Sequence, residues 1–190
     1  MAKETITARW GKAGFEIVGI VFAVLLALWL EGWREDVELQ QRADDHLTRI
    51  RAEITENRSS VQSSIIDHRA LIEGLDAALD ADGINMNDVG PYLKIEGGST
   101  SDASWRSAQL SQSINQIPLE TMGNLAALYD TQAYYIDYLN YFFQQYVDMV
   151  TEIEAAPSNR VLIRKFRQHL SITNVLAEQL LDRYDTFLNS

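Results

Sequence analysis

The sequence predicts an all-α fold, in which an N-terminal transmembrane helix continues into a long amphipathic helix. This helix packs with about three further helices as an antiparallel bundle. Three observations predict it: an uncharged apolar run over 17–30, apolar residues spaced three and four apart over the next 45 or so residues, and the absence of any segment that alternates apolar and polar residues as a half-buried strand does.

Charge and composition exclude several classes of function. The 190 residues carry a net charge of −11, and all of it lies in 34–190, because residues 1–33 hold three basic and three acidic side chains. Such an acidic body argues against general nucleic-acid binding, which needs lysine and arginine to replace counterions. The chain has no cysteine, which rules out disulfides, thiolate catalysis and cysteine metal sites.

The apolar run is interpreted as a transmembrane helix over 13–33 that follows a short tail, 1–12. Its uncharged centre, 17–30, would be about 21 Å long as a helix, and Trp10 and Trp33 would lie about 34 Å apart, close to the spacing of aromatic belts on a bilayer. A cleaved signal peptide and a buried soluble helix are the alternatives. The interfacial anchors of the preferred interpretation are Trp10, Trp29 and Trp33.

Basic residues predict the orientation of this span. Lys3, Arg9 and Lys12 precede it, whereas Arg34 beyond it is followed at once by Glu35 and Asp36. The positive-inside rule then places the N-terminus in the cytoplasm and the acidic domain, 34–190, on the opposite side.

One face of the span carries an acid and three small residues. At about 100° per residue, Glu16, Gly19, Ala23 and Ala27 lie within roughly 80° of one another. Small side chains let a second helix approach closely in lipid, and an ionisable group near the interface turns toward protein or water. We therefore predict a docking face for a membrane helix; the alternative is that Glu16 lies among the headgroups near Lys12 and the alanines have no role.

The next segment, 34–79, is interpreted as one amphipathic helix with near-heptad spacing, in which Asn57 and His68 occupy positions where an apolar residue is expected. Joined directly to the span, it would form a rod about 100 Å long.

Four glycines and Pro91 then predict a loop over about 80–101. Its DADGINMND resembles a calcium loop, but the glycine falls at the wrong position, so ordinary turns are preferred.

Three further helices are predicted after the loop. The first covers 102–117 with Ser101 as its cap, the second begins at Pro118 and reaches Ala155, and the third covers 159–188. Short turns between them favour an antiparallel bundle.

Two local clusters are candidate contact surfaces. Between residues 134 and 146, seven of thirteen side chains are aromatic, so this helix either lies at the centre of the bundle or also contacts another protein or the bilayer surface. The candidate partner surface comprises Tyr134, Tyr138, Tyr141 and Phe142. The second cluster is Arg160, Arg164 and Arg167, which share one helix face and either pair with stalk acids such as Asp44, Asp45 or Glu53 or bind an anionic partner or lipid headgroup.

No catalytic motif is visible in the sequence. The three histidines, His46, His68 and His169, have no metal-ligand spacing, and there is neither a phosphate-binding loop nor a G-x-S-x-G element. We expect no enzyme activity, no metal and no cofactor. His68, in the heptad seam, is interpreted as a hydrogen-bonded core or register residue rather than as a catalyst.

The chain resembles a family of uncharacterised bacterial single-pass membrane proteins, classed as a domain of unknown function. The likeness rests on FEIVGIVFAVLLALWLEGWRED, on HLTRIRAEITENRSSV, and on ASWRSAQLSQS followed by ETMGNLAALYDTQAYY. The resemblance implies an anchor in the bacterial inner membrane with a helical periplasmic region, and it implies no activity or ligand.

Together these patterns predict a non-enzymatic accessory or scaffold subunit that docks on transmembrane helices of a larger membrane complex or of a second copy. The alternative is a sensor-like periplasmic bundle that binds a ligand and signals through a partner. Its weakness is that no second uncharged run of membrane length follows Leu79.

Overall fold

A computed structural model describes the backbone of residues 4–189 and the side chains of residues 18–189. The described chain is helical and contains no strand, which confirms the predicted all-α class. Its helices are α1 (Glu4–Asp80), α2 (Met86–Val89), α3 (Ala103–Gln109), α4 (Leu119–Ala155) and α5 (Arg160–Leu188), with single 3₁₀ turns at Gly90–Tyr92 and Gln112–Gln116.

Helix α1 is continuous over 77 residues, about 115 Å, so the apolar N-terminal run and the amphipathic stalk belong to one helix. Its first buried side chain is that of Ala43. In the part of the chain that the structure describes, no helix is long and apolar enough to cross a membrane. The predicted span, 13–33, begins before the described side chains, and Trp10 and Glu16 lie outside them.

Between the apolar run and the bundle, α1 has a charged stem, residues 34–42. The carboxylate of Glu38 accepts from Arg34 at 3.1 Å and lies 3.8 Å from Arg42, so a single acid bridges one turn on each side. Pairs spaced by four residues each stabilise an exposed helix by about 0.3–0.5 kcal/mol. Local ion pairs therefore support the stem where no other helix covers it.

Helix α5 packs against both α1 and α4. It runs antiparallel to α1, because Arg58 pairs with Asp185 near one end and Arg167 pairs with Asp76 near the other. Helix α4 runs parallel to α1, since the hydrogen bonds of Glu53 with Tyr129 and of Asn57 with Gln132 advance along both helices together. In a simple up-and-down bundle each long helix runs antiparallel to the one before it, so the parallel arrangement of α1 and α4 departs from that order.

The segment between α1 and α4 departs most from the sequence prediction. The predicted loop contains α2 and a 3₁₀ turn, and the predicted helix over 102–117 is replaced by α3 and a second 3₁₀ turn. Residues 93–102 run extended along the bundle from the level of Gly74 to that of Asn57. The nine residue steps from Tyr92, beside Gly74, to Ser101, beside Asn57, reach at most about 30 Å, and the 17 helical rises from Gly74 to Asn57 are about 26 Å, so the segment is nearly extended.

A glycine lets this extended segment lie close to α1. A Cβ built on Gly98 would meet the Cα of Val61 at 3.0 Å and the carbonyl oxygen of Ser60 at 3.2 Å. The backbone of α1 cannot yield to such a group as a flexible side chain would. Gly98 thus fixes the separation between the extended segment and α1.

The buried side chains form two clusters along the bundle axis. One surrounds Ile50, Ile54, Tyr135 and Tyr184, toward the end where the stem enters. The other surrounds Leu75, Phe142, Phe166 and Leu170. Both clusters include residues of α5, and the partly buried Ile95 packs against both.

Candidate functional site

The apolar part of α1 is uncovered. All thirteen residues of 18–30 are exposed, none is charged, and the large side chains among them are 50–66% exposed. Isolated exposed apolar residues are ordinary on a soluble protein, but a contiguous surface of this size marks a contact with protein or lipid. This segment is the most distinctive surface of the molecule.

The predicted docking residues with described side chains share this exposed helix. No atom lies within 4 Å of the position that a Cβ on Gly19 would occupy, and Ala23 and Ala27 are exposed. Trp29 and Trp33, the predicted interfacial anchors, are 66% and 58% exposed. No described part of the chain covers the small residues of this face of α1.

Helix α4 divides the predicted aromatic surface between its two sides. Tyr134 and Tyr141 are 63% and 50% exposed, whereas Phe142 is fully buried against Phe166 and His169. This corrects the assignment of Phe142 to a partner surface: it lies on the face of α4 that meets α5. Because this helix has more aromatic residues than one face can bury, the surplus lies on its outer side.

Tyr138 lies where α4 packs against α5. Its hydroxyl lies 3.0 Å from Nδ1 of His169, which also stacks on Phe142 with a ring separation of 5.0 Å. Burial, aided by the positive charge of Lys165, lowers the pKa of His169. A neutral ring can accept from the tyrosine hydroxyl, so this histidine acts as a structural element of the contact between the two helices.

The arginine cluster contacts the end of α1. Arg160 donates to the carbonyl oxygens of Leu79 and Ala81, which the end of a helix leaves without partners. Arg167 donates through Nε and Nη2 to both carboxylate oxygens of Asp76, at 2.6 and 2.7 Å.

The acids expected to pair with this cluster, Asp44, Asp45 and Glu53, are not its partners, because they lie near the opposite end of the bundle. Arg164 has no ion-pair partner among the described side chains. Two of the three arginines are thus occupied within the chain, and only Arg164 is free for an anion.

A buried polar cluster links α1, α4 and the extended segment at the level of Glu53. The Glu53 carboxylate accepts from the Tyr129 hydroxyl at 2.8 Å, the Ser104 backbone N–H at 2.9 Å and the Ser101 hydroxyl at 3.0 Å. Burial alone would raise the pKa of Glu53, but these hydrogen bonds together hold it below its usual value. The carboxylate is a fully bonded structural anion.

Asn57 continues the cluster one turn further along α1. Its side chain accepts from the Ser101 backbone N–H at 2.8 Å and donates to the Ser101 carbonyl at 2.7 Å. Gln132 donates to the same carbonyl and accepts from the Tyr184 hydroxyl. The predicted cap, Ser101, is not the N-cap of α3, which is Asp102, although its hydroxyl accepts from the Ala103 N–H at 3.2 Å.

Sequence reasoning missed Glu53 and Tyr129 as members of this cluster. The available signal was Asn57, a polar residue at a heptad position that should be apolar. Its partners are 44 and 75 residues away along the chain, so no local pattern could identify them.

His68 is completely buried, as expected of a core residue, but neither of its ring nitrogens has a hydrogen-bond partner, which corrects the expectation that it is hydrogen-bonded. Burial lowers its pKa, opposed in part by the nearby backbone carbonyl of Glu96 and by the carboxylates of Asp67 and Glu96. The neutral imidazole is favoured, because a charged ring would need an acceptor for each of its two N–H groups and neither nitrogen has a hydrogen-bond partner.

The bundle has open clefts rather than a deep pocket among its described residues. One of about 270 Å³ lies beside Tyr129 and Gln132, and one of about 540 Å³ lies between Ile114 and Met122. No group of three or more acidic or histidine side chains that could hold a metal ion occurs in the described part of the chain.

Comparison with known proteins gives no relative: no family model, no curated protein and no solved structure matches this chain. The resemblance to uncharacterised bacterial membrane proteins stays a prediction.

Proposed function

We propose that this protein is a membrane-anchored, non-enzymatic accessory or scaffold subunit. The N-terminal part of α1 inserts in the bacterial inner membrane and docks on transmembrane helices of a larger complex or of a second copy. The helical domain occupies the periplasmic side. The observation that carries the proposal is the uncharged, uncovered helix surface of residues 18–30.

Leaving that surface in water is costly. Ten large apolar side chains of residues 18–30 are at least half exposed. Complete burial of one such side chain is worth about 1.5–3 kcal/mol, so the group represents on the order of 10 kcal/mol even though the helix already covers part of each. A bilayer removes this cost around the whole circumference of the helix, which a single protein groove does not.

Docking within the membrane is proposed for the face with Gly19, Ala23 and Ala27. These residues are spaced by four, and none has a side chain beyond Cβ, so a second helix backbone can approach closely. Glu16 begins the same face at the depth of the interface, where a basic or polar group of the partner would satisfy its carboxylate.

The stem places the bundle at a defined height. From Trp33 to Ala43 there are ten helical rises, about 15 Å. The ion pairs of Glu38 support this section as a rigid helix without neighbours. The bundle is thereby held beside extramembrane parts of whatever complex the anchor joins.

Alkaline extraction of membranes tests the anchor. The complete chain, produced in bacterial cells, is expected to stay in the membrane pellet after a carbonate wash. A Val21→Arg, Leu25→Arg double variant is expected in the supernatant, because each arginine at mid-span costs about 2.5–3.5 kcal/mol of insertion.

Ile66→Arg is the matched control, since Ile66 is an exposed apolar residue of α1 within the bundle, 63% accessible. It should behave as the wild type does. Release of the wild-type chain by carbonate, or retention of the double variant, would contradict the proposal.

A further inference from the structure

Helix α4 has an unusual charge. Over its 37 residues it has six acidic side chains and neither lysine nor arginine. None of these carboxylates has an ion-pair partner among the described residues, in contrast with the charged stem of α1. The acids are Glu120, Asp130, Asp137, Asp148, Glu152 and Glu154.

Three of these acids alternate with tyrosines along one line. Asp130, Tyr134, Asp137, Tyr141 and Asp148 follow one another at steps of four, three, four and seven. At about 100° per residue they lie within about 60° of one another and extend over about 27 Å. We name these five residues the α4 stripe.

The α4 stripe faces away from the core. All five residues are exposed, and Tyr134 and Tyr141 are 63% and 50% accessible. The buried side of α4, with Tyr135, Leu139 and Phe142, points toward α5 and the extended segment. In the described chain, the ring contacts made with the stripe are those of Tyr138 and His169 with Tyr141, at 6.0 and 5.9 Å between centroids, and they leave half of Tyr141 exposed.

A purely solvated helix face would be expected to mix charges of both signs, as the stem does with Arg34, Glu38 and Arg42. The stripe instead combines unpaired acids with large exposed aromatic rings. Tyrosine is enriched in interfaces and at binding hot spots, and its ring attracts arginine and lysine. Asp130 and Asp137 are seven residues apart, as are Tyr134 and Tyr141, and this spacing is typical of a helix face that packs lengthwise against a second helix.

We propose that the α4 stripe binds a basic helix of another protein, with arginine or lysine side chains placed between the carboxylates and over the tyrosine rings. Charge complementarity selects this occupant over a second copy. A second copy carries the same net charge of −11, and five of its arginines, at positions 58, 69, 106, 160 and 167, are already held by contacts within the chain.

This inference adds a second contact to the proposed accessory subunit, but it rests on different residues. The membrane anchor depends on residues 18–30, and the stripe lies on α4. Binding to the stripe is measured in detergent solution, so its failure and a failure of membrane anchoring are distinguishable.

The test uses the full chain in detergent and a fluorescent 21-residue helical peptide with heptads of leucine and arginine. A second peptide carries glutamate in place of every arginine. We expect the basic peptide to bind the wild-type chain and the acidic one not to bind. Binding should weaken with salt, because exposed ion pairs are screened.

The variant Asp137→Asn, Asp148→Asn is expected to weaken binding at least fivefold. The control Asp44→Asn, Asp45→Asn makes the same charge change on acids of α1 outside the stripe and should weaken binding less than twofold. Tyr134→Ala, which removes an exposed ring, is expected to weaken binding about threefold or more.

Absence of binding by the basic peptide, or equal weakening by the two double variants, would overturn the proposal. Association of the chain with itself that the stripe variant abolishes would also overturn it, because the occupant would then be a second copy.

Discussion

The hydroxyl of Tyr129 on α4 donates to the carboxylate of Glu53 on α1, with 2.8 Å between the oxygen atoms. This bond joins the two parallel helices of the bundle across the extended segment, whose Ser101 bonds to the same carboxylate, as does Ser104 just beyond it. Burial and the neighbouring carboxylate raise the pKa of Tyr129, so the phenol stays protonated as the donor. Glu53 thus anchors three separate parts of the chain.

Replacement of Tyr129 by phenylalanine should destabilise the bundle by about 1.5–3 kcal/mol, the usual range for a hydrogen bond to a charged group. The ring still stacks on Trp105, at 5.5 Å between centroids, so the loss reports the hydroxyl. Urea unfolding measures the effect. Tyr134→Phe, on the exposed side of α4, is the control and should change the free energy of unfolding by less than about 0.5 kcal/mol; equal effects of the two variants would contradict the role of Glu53.

Gly98→Ala should lower the free energy of unfolding by about 1–3 kcal/mol, because the added methyl group meets the backbone of Ser60 and Val61. Gly97→Ala is the matched control, since its Cβ would meet Leu139 at an ordinary 3.5 Å. Neither glycine has a positive φ, so the difference between the variants reports space alone. Chemical denaturation of both variants checks this, and equal stability would show that the extended segment does not lie against α1.

Stability should fall as the pH drops from about 7.5 to 5.5, because of His68 and, in the same direction, His169, since burial lowers the pKa of both in the fold. The pKa of His68 in the fold lies below its ordinary 6.5, so the unfolded chain binds the proton first. The stabilisation is therefore complete above pH 6.5 and is lost below it, with a slope of at most about 1.4 kcal/mol per pH unit.

The variant His68→Phe isolates this effect. It keeps an aromatic ring in the core and removes both unpartnered nitrogens, so its stability should change less over the same pH interval than that of the wild type. Urea titrations at several pH values measure the slope. Glu53 does not interfere, since its lowered pKa places its effect below about pH 4.5. An unchanged slope in the variant would exclude His68 as the source.

Cysteine labelling tests the orientation, and the absence of native cysteine makes every introduced thiol unique. In intact spheroplasts, a membrane-impermeant maleimide should label Gln144→Cys, on the exposed side of α4, and should leave Ala2→Cys unlabelled. The reason is the basic tail, which the positive-inside rule keeps in the cytoplasm. Labelling of Ala2→Cys alone would reverse the topology, and detergent permeabilisation shows that both thiols can react.

The helices that could be predicted from the sequence are those with local signals. The apolar spacing over 34–79 predicted the stalk part of α1. The breaks at Pro118 and Pro157 predicted the ends of α4 and α5 to within about one residue. Asn159 caps α5 by accepting from the Val161 N–H at 3.1 Å, as an asparagine before a helix predicts. These features depend on residues close together in the chain.

The connector could not be predicted in the same way. Its glycines and Pro91 indicated a loop, but not that residues 93–102 pack along the bundle. That packing depends on the bonds of Ser101 with Asn57 and on the close approach of Gly98 to α1, both of which join distant parts of the chain. The buried acid, Glu53, was missed for the same reason.

Native mass spectrometry of the gently extracted membrane complex tests the central claim most directly. The wild-type chain would be compared with an Ala23→Leu, Ala27→Leu variant, which fills the small-residue face but keeps the helix apolar. The account predicts that the wild type is found with other membrane proteins or further copies of itself, and that the variant is found alone. If both chains have the same mass as single, unassociated species, the accessory-subunit account is contradicted.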